Sequence, residues 1–318
     1  MADLPPTPPL QCAETMRILI TGPSGAVGAA LVRALAGAHE LRGLAREPGR
    51  VAASPALPLI RGDVLSGAGL EEALDGIEVA YYLVHSMEPS ADSGFASRDR
   101  EAARRFAAAA TRAGVRRIVY LGGILPAVGS VSPHLASRHE VERILLDAVP
   151  DSVALRASIV IGARSGSFRA IVRLIERLPV IPLPPWSANR TQPIDERDAV
   201  AYLAAAAAVP EAGGRALDIA GPEVLSYGAM IRRIAASLLL PRPAIPLPPL
   251  GGLDGAVAAA VSGIPLALLG PLMESLGSDL VADDAPARAL FGVALHDLDS
   301  AIEHALSEWE SVEPLRAR

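Results

Sequence analysis

The sequence predicts an α/β fold in which a doubly wound parallel sheet is followed by a small, mostly helical lobe. Short apolar runs alternate with amphipathic segments of helical period from Met16 to about residue 162. This alternation indicates β-α-β units, whose strands pair in parallel through right-handed crossovers. After residue 162 the alternation ends and proline-rich segments follow. The sheet is therefore expected in the first half of the chain, with residues 191–221 returning to it.

A glycine-spaced turn follows the first apolar run, in the segment MRILITGPSGAVG at 16–28. Gly22, Gly25 and Gly28 recur at intervals of three residues. The first glycine permits a tight exit from the strand, the second lets backbone amides approach a diphosphate, and the third lets helix pack against strand. The next segment is amphipathic and stops at Gly37, so its electropositive N-terminus would face the phosphates. This order predicts a Rossmann dinucleotide-binding site; a purely structural turn is the alternative.

The end of the second predicted strand, over residues 40–46, bears on the choice of cofactor. An acidic residue there would hold the adenosine ribose of NAD, but the strand ends in Ala45-Arg46. A guanidinium at this place can pair with a 2′-phosphate, so the sequence favours NADP over NAD, with Arg50 as a helper. The alternative is an ordinary surface arginine.

Other cofactor contacts are expected where the next strands end, because the carboxyl ends of parallel strands line the ligand crevice. After the strand at 57–61, Asp63 is placed to accept a hydrogen bond from the adenine amino group, or else to cap the next helix. The strand at 78–84 precedes His85, and the strand at 116–121 precedes Gly122. The predicted cofactor contacts are Gly22, Pro23, Ser24, Gly25, Ala26, Val27, Gly28, Arg46, Asp63, Val64, Leu83, Val84, His85 and Gly122.

The C-terminal half offers a candidate substrate pocket. Aromatic residues make up only 3% of the chain, yet Phe168 and Trp186 lie close together in sequence. They predict one wall of an apolar pocket, with core packing as the alternative. Asp195 and Asp198 could form a general-acid pair, but capping of the helix predicted at 199–208 explains them better. Arg156, in the apolar strand predicted at 152–160, requires a partner if it is buried.

Composition excludes several function classes. The net charge of −6 argues against nucleic-acid binding. All basic residues other than histidine are arginine, so lysine-dependent phosphate binding and Schiff-base chemistry are excluded. The lone Cys12 gives no disulfide, and no metal-ligand spacing occurs among the histidines.

Two segments raise the question of targeting or of membrane insertion. Residues 1–15 lack the pattern of a signal peptide, so a flexible tail is expected, and Met16 is an alternative start. The segment at 255–272 is strongly apolar but is interrupted by glycine and proline. It therefore predicts a buried pocket wall instead of a membrane span.

Several motifs together resemble the extended or atypical short-chain dehydrogenases/reductases. The motifs are TGPSGAVG at 21–28, GDV at 62–64, YYLVHSM at 81–87, RRIVYLGG at 116–123, LRASIVIG at 155–162 and TQPIDERDAVAYL at 191–203. The resemblance extends from Met16 to about Gly221. It implies a Rossmann domain over residues 16–162, a substrate-binding lobe over 163–318 and an NAD(P)H cofactor.

The catalytic residues depart from the family pattern. Active members place a serine or threonine after the fifth strand and a Tyr-x-x-x-Lys on the next helix. Here Gly122 follows the strand, and His134 and Arg138 stand where tyrosine and lysine would be. The resemblance implies that His134 is a general acid and that Arg138 holds the nicotinamide ribose; otherwise His134 only opens the helix and Arg138 makes a surface or cofactor contact. Further candidate proton donors are His85, Ser86 and Tyr120.

The expected function is that of a cytoplasmic NADP(H)-dependent atypical oxidoreductase. Its partner would be a small apolar substrate with a carbonyl, enone or quinone group, and the protein would be a monomer or homodimer that binds no nucleic acid and spans no membrane. One alternative is a non-catalytic NADP(H)-binding redox sensor or assembly factor, favoured by the loss of tyrosine and lysine. Another is an isomerase or cyclase that retains its cofactor.

Overall fold

The structure is a computed structural model that describes residues 14–52, 54–84, 94–240, 242–248, 259–260, 263, 270 and 273–315. Its strands are β1 (Arg17–Thr21), β2 (Glu40–Ala45), β3 (Leu59–Arg61), β4 (Val79–Tyr82), β5 (Arg117–Gly123), β6 (Val153–Ala157), β7 (Val160–Ile161), β8 (Ile181–Leu183), β9 (Arg190–Thr191), β10 (Ile194–Asp195), β11 (Arg215–Asp218), β12 (Leu225–Ser226) and β13 (Ala244–Pro246). Its helices are α1 (Ala26–Leu35), α2 (Leu70–Leu74), α3 (Phe95–Arg112), α4 (Pro133–Ala148), α5 (Gly166–Arg177), α6 (Glu196–Ala208), α7 (Tyr227–Ser237), α8 (Ala285–Phe291) and α9 (Leu298–Glu310). Short 3-10 helices lie at Pro48–Arg50, Pro185–Ala188 and Pro210–Ala212.

Seven strands form one parallel sheet, in the order β11-β6-β5-β4-β1-β2-β3. β1 lies at its middle, where Ile18 pairs with Leu41 of β2 on one side and with Val79 of β4 on the other. The strand order therefore reverses between β1 and β4, which is the point where ligands bind in sheets of this kind. The prediction of a doubly wound parallel sheet is confirmed.

Helices cover both faces of the sheet, and alternate residues of its central strand point to opposite faces. Ile18 and Ile20 join the core beneath α1 and α6, whereas Leu19 joins the core beneath α2, α3 and α4. On the second face, Phe106 of α3 and Val141 of α4 are buried. The first of these apolar layers packs α1 against β1.

A third core joins α5, α7 and α9 into the C-terminal lobe. Phe168 is fully buried in it, together with Tyr227 of α7 and Trp309 of α9. The core-packing alternative for Phe168 is therefore correct, because a residue on this face of α5 points toward α7 and α9. Two short strand pairs, β7 with β10 and β8 with β13, join distant segments of the chain.

Several element bounds differ from the sequence prediction. The strand predicted at 152–160 is divided into β6 and β7, because Ser158 leaves the central sheet and donates to the carbonyl of Gln192 at 2.7 Å. The helix predicted at 199–208 begins earlier, at Glu196, since the Asp195 carboxylate accepts from the backbone amide of Arg197 at 2.7 Å.

Some sequence predictions lie outside the described residues. These are the tail at 1–13, His85 and Ser86, and most of the apolar segment at 255–272. Within the part of the chain that the structure describes, no helix has both the length and the apolar character to cross a membrane.

Candidate functional site

The glycine turn between β1 and α1 leaves no room for side chains on its inner side. A Cβ on Gly28 would lie 2.3 Å from the carbonyl oxygen of Gly22, and one on Gly22 would lie 2.9 Å from that of Leu83. Gly22 also has a φ of +69°, which side-chain-bearing residues rarely adopt. The backbone amide of Gly25 donates to the carbonyl of Gly22 at 3.0 Å, which closes the turn. The turn thus brings main chain close to any ligand in the crevice.

The N-terminus of α1 opens on that crevice. Gly25 is its N-cap, and no side-chain cap is present among the described residues. The first helical amides and the positive end of the helix dipole are suited to a diphosphate. Thr21 holds the turn in place, because its hydroxyl donates to the carbonyl of Tyr81 at 2.9 Å and accepts from the amide of Leu83 at 3.0 Å. The residues present therefore fit a dinucleotide diphosphate.

One cavity of about 490 Å³ extends from the glycine turn into the C-terminal lobe. In the lobe its walls are mainly aliphatic, with Trp186 as the aromatic residue that the sequence predicted there. Arg138 and Glu196 are the charged side chains among the described lining residues, apart from the titratable His134. The apolar lining residues in the lobe include Ile171, Leu174, Ile175, Leu178, Val180, Ile181, Met230, Ile231, Leu247, Met273, Leu276 and Leu280.

The predicted cofactor residues divide into two groups. Those that line the cavity are Gly22, Gly25, Ala26, Val27, Gly28, Leu83 and Gly122. Pro23, Ser24 and Val84 adjoin these residues in the chain. Arg46 is exposed immediately after β2, and Arg50 is ion-paired with Glu47 at 2.8 Å.

Asp63 and Val64 have local structural contacts. The Asp63 carboxylate accepts from the backbone amide of Leu65 at 2.9 Å, whereas α2 is preceded by Gly69 as its N-cap. The alternative that Asp63 caps the next helix is therefore wrong. Its carboxylate closes a short turn instead, a common role for aspartate two residues before the donor. Val64 is buried in the core against α2 and α3.

His134 and Arg138 both face the cavity, because residues four apart share one face of α4. Ser132 caps this helix by accepting from the amide of Leu135 at 3.2 Å, so His134 lies in the first turn. The His134 ring stacks on Phe95, with ring centroids 5.9 Å apart. Burial lowers the pKa of the imidazole from its usual range, and the carboxylate of Asp99 opposes that effect. His134 is therefore a neutral imidazole near pH 7.

Arg138 joins α4 to the end of β5. Its guanidinium donates to the carbonyl of Leu121 and lies over the Tyr120 ring, 5.1 Å from the centroid. Burial lowers its pKa to about 9, so the side chain is still cationic at pH 7. The Tyr120 hydroxyl donates to the carbonyl of Arg138 at 3.2 Å, and burial raises its pKa well above the usual range. Tyr120 therefore supports Arg138 instead of facing the cavity.

Asp195 and Asp198 do not form a general-acid pair. Asp195 caps α6 and is ion-paired with Arg197 at 2.6 Å. Asp198 lies 2.5 Å from Nδ1 of His296 and accepts from the backbone amide of that residue at 2.8 Å. Capping therefore explains Asp195 but is wrong for Asp198, whose carboxylate fixes the segment before α9. Arg156, as predicted, has a partner, since Nε donates to Glu142 at 2.8 Å.

Sequence reasoning missed one residue that lines the cavity and one that contacts the glycine turn. Glu196 lines the cavity with a buried carboxyl, and burial raises its pKa to about 7. Arg164 donates to the carbonyl of Ser24, within the glycine turn, at 3.0 Å. Neither has a sequence signal, because Glu196 resembles an ordinary first-turn helix residue and Arg164 an ordinary loop arginine. Only the packing of the lobe on the sheet brings them to the turn.

Comparison with known proteins supports nucleotide binding by the first half of the chain. Residues 22–152 match a family model described as NAD(P)H-binding. No curated protein sequence matches the chain significantly. The dinucleotide site that the glycine turn predicted and the NAD(P)H class that the resemblance implied are therefore confirmed, whereas the preference for NADP stays a prediction.

Several solved structures share the fold. The crystal structure of gox2253 has a TM-score of 0.76 at 19% identity, over 95% of this chain and 100% of that chain. The Bordetella bronchiseptica enzyme WbmG, in complex with NAD, has a TM-score of 0.73 at 19% identity, over 97% of each chain. UDP-glucuronic acid 4-epimerase from Bacillus cereus, in complex with NAD, has a TM-score of 0.71 at 16% identity, over 94% of this chain and 97% of that chain. At these identities, the likeness shows a common fold and nothing finer.

Proposed function

We propose that this chain, an NAD(P)H-binding protein with the fold of an atypical, extended short-chain dehydrogenase/reductase, is an NADP(H)-dependent oxidoreductase. Its proposed substrate is a lipophilic small molecule with a carbonyl, enone or quinone group. The observation that carries this proposal is the continuity of the cavity. The glycine turn opens into the same space as the aliphatic walls of the lobe.

The lining favours an apolar substrate over a charged one. α5 contributes Ile171 and Leu174 to the wall, and α7 contributes Met230 and Ile231. Transfer of apolar surface from water to such a wall supplies roughly 25 cal/mol for each Å² removed from water. A phosphate or sugar-nucleotide group would need cationic or hydrogen-bonding partners along this wall, and the described lobe lining offers few.

The chain's own residues would orient the reacting groups and supply one proton. The bound nicotinamide nucleotide supplies the hydride. We assign to His134, which lines the cavity, the donation of a proton to a substrate oxygen, and to Arg138, which also lines it, the holding of the nicotinamide ribose. The cation of Arg138 also favours the anionic character that develops on that oxygen.

Arg46 supports the choice of NADP. It is exposed immediately after β2, at the carboxyl edge of the sheet. A guanidinium can bind a 2′-phosphate through two parallel hydrogen bonds, whereas the ribose of NAD is usually held by a carboxylate at this place. Arg50, which is ion-paired with Glu47 at 2.8 Å, is proposed as the helper.

A second candidate function is an isomerase or epimerase that retains its cofactor. It is favoured by the structure of the UDP-glucuronic acid 4-epimerase from Bacillus cereus in complex with NAD, which has the same fold. In that case hydride would return to the substrate within each turnover, and no reduced cofactor would be consumed. A redox sensor would bind NADP(H) in the same way but leave every substrate unchanged.

Absorbance at the reduced nicotinamide band, measured with a panel of apolar ketones, enones and quinones, tests the proposal. A substrate-dependent loss of NADPH supports the oxidoreductase. Product formation without net loss of NADPH supports the isomerase, and bound NADPH that no substrate consumes supports the sensor. Failure of both NADPH and NADH to bind would overturn all three candidate functions.

A further inference from the structure

Glu196 is a buried carboxyl at the cofactor end of the cavity. It is the first residue of α6, its exposed fraction is 6%, and it lines the same cavity as Gly25 and Ala26 of the glycine turn. Its Oε1 atom lies against Gly162, where an added Cβ would be only 2.8 Å away. This oxygen has no hydrogen-bond partner among the described residues. Buried carboxyl oxygens usually have one, so the exception requires an explanation.

The charged groups around Glu196 are engaged with other partners. They are Arg33 from α1, Arg164 from the segment before α5, Asp195 before α6 and Glu308 from α9. Arg33 lies 3.6 Å from the carboxylate of Glu308, and Arg164 donates to the carbonyl of Ser24 at 3.0 Å. The two cations near Glu196 are therefore directed to other groups, while Glu308 adds a second negative charge.

These surroundings favour the neutral acid. Burial raises the pKa of Glu196 to about 7, and Glu308 acts in the same direction. An anionic diphosphate at the glycine turn would raise that pKa further, because two negative charges close together disfavour ionisation. A neutral carboxylic acid, unlike a carboxylate, can donate a hydrogen bond to an anionic oxygen.

We propose that Glu196 binds the diphosphate of the nicotinamide nucleotide as a neutral carboxylic acid, so that cofactor binding takes up one proton. The O–H of the carboxyl donates a hydrogen bond to a phosphate oxygen, and no covalent bond changes. Proximity to the turn supports this, because Arg164, two residues after Gly162, already contacts Ser24 in the turn. The inference rests on nucleotide binding at the glycine turn, and it requires neither a substrate nor turnover.

Calorimetric titration with NADH tests the inference. NADH is the primary probe because it lacks the 2′-phosphate, which titrates near neutral pH itself; NADPH is the second probe. Titrations at pH 6 to 9, in two buffers of different ionisation enthalpy, measure the number of protons taken up. Because the pKa is raised to about 7, we expect uptake that approaches one proton at pH 8 and falls to a small fraction at pH 6. The Kd should weaken about tenfold between pH 6 and pH 8, because only the neutral form binds.

Two variants isolate the carboxyl. Glu196→Gln keeps a hydrogen-bond donor but cannot ionise, so its Kd should not vary with pH and proton uptake should vanish. Glu308→Gln removes the neighbouring negative charge, so the pKa of Glu196 falls and the loss of affinity should begin at lower pH. Glu211→Gln, at an exposed position, should behave as the wild type.

The outcomes separate this inference from the proposed function. NADH binding without proton uptake, or an unchanged pH dependence in both Glu196→Gln and Glu308→Gln, overturns the role of Glu196 alone. If Glu196→Gln does not fold, Glu308→Gln tests the role of Glu196 alone. A loss of NADH affinity that begins at lower pH than in the wild type supports the role, and one that begins at the same or higher pH overturns it. Absence of NADH and NADPH binding at every pH would overturn nucleotide binding itself, and this inference with it.

Discussion

Gly28 and Gly22 contact each other so closely that a Cβ on Gly28 would lie 2.3 Å from the carbonyl oxygen of Gly22. The first turn of α1 can therefore approach the glycine turn only when residue 28 has no side chain. This approach presents the helix amides to the crevice, so packing and nucleotide binding depend on the same contact.

Gly28→Ala should weaken NADPH binding about tenfold or more, because the added methyl must displace the turn; overpacking typically costs about 1–3 kcal/mol. Gly49→Ala is the matched control, since an added Cβ there meets nothing within 4 Å. Fluorescence titration with NADPH measures the change in affinity, and thermal melts show whether each variant is folded. Equal affinities for the two variants would contradict the role of the turn.

Arg46→Ala should weaken NADPH binding by about 10- to 100-fold and leave NADH binding unchanged. A charge-assisted hydrogen bond contributes about 1.5–3 kcal/mol, and only NADPH has the 2′-phosphate to receive it. Arg50→Ala should have a small effect on either nucleotide, because Arg50 is paired with Glu47. The ratio of the two dissociation constants is the measurement, and a ratio unchanged by Arg46→Ala would refute NADP selection by this residue.

His134→Gln should lower kcat for reduction by about 10²- to 10⁴-fold, the usual contribution of a general acid. Since burial lowers the pKa of His134, the protonated form accumulates only at acidic pH. The reduction rate should therefore rise as pH falls toward that pKa, and the reverse oxidation should rise with pH. His139→Gln, on the same helix but outside the cavity lining, should keep the wild-type pH profile. Full activity of His134→Gln would exclude His134 as the acid.

Leu174→Trp should block substrate binding while NADPH still binds. Leu174 lines the lobe part of the cavity from α5, so a larger ring there occupies the space proposed for the substrate. Val312→Trp adds the same ring at a position that is 85% exposed and should leave activity unchanged. Steady-state kinetics on the best substrate of the panel, together with NADPH titration, distinguish the two. Unchanged KM and kcat in Leu174→Trp would place the substrate elsewhere.

Asp151→Asn should lower the free energy of unfolding by about 2–3 kcal/mol. The fully buried Arg117 donates to both Asp151 carboxylate oxygens, at 2.8 and 2.9 Å, and would be left with an uncompensated charge. Because the Asp151 side chain is 37% exposed, solvent keeps the cost below the roughly 3–5 kcal/mol of a fully buried pair. Urea denaturation measures the difference. Arg116→Ala changes the half-exposed arginine next to Arg117 and should lower the free energy of unfolding by less than about 0.5 kcal/mol.

The predicted fold agrees well with the structure because its signals are local. The apolar run at β1, the three glycines and the amphipathic α1 each restrict the backbone through their own residues. Five further parallel strands, β2 to β6, follow from the same alternation, whereas β11 comes from the later segment that returns to the sheet. The predicted bounds of an element are wrong where a contact with a distant segment changes the path of the chain. Ser158, for example, donates a hydrogen bond to the carbonyl of Gln192, and β6 ends before it.

The sequence by itself determined the parallel sheet, the glycine turn and the class of cofactor, because periodicity and glycine spacing act over a few residues. The tertiary structure alone decided that Phe168 belongs to the core, that Asp198 holds His296, that Glu196 lines the cavity, and that Arg164 contacts the glycine turn. The physical reason is that burial and charge proximity depend on which distant segments pack together. The pKa of a glutamate in the first turn of a helix is set by neighbours that no local pattern specifies.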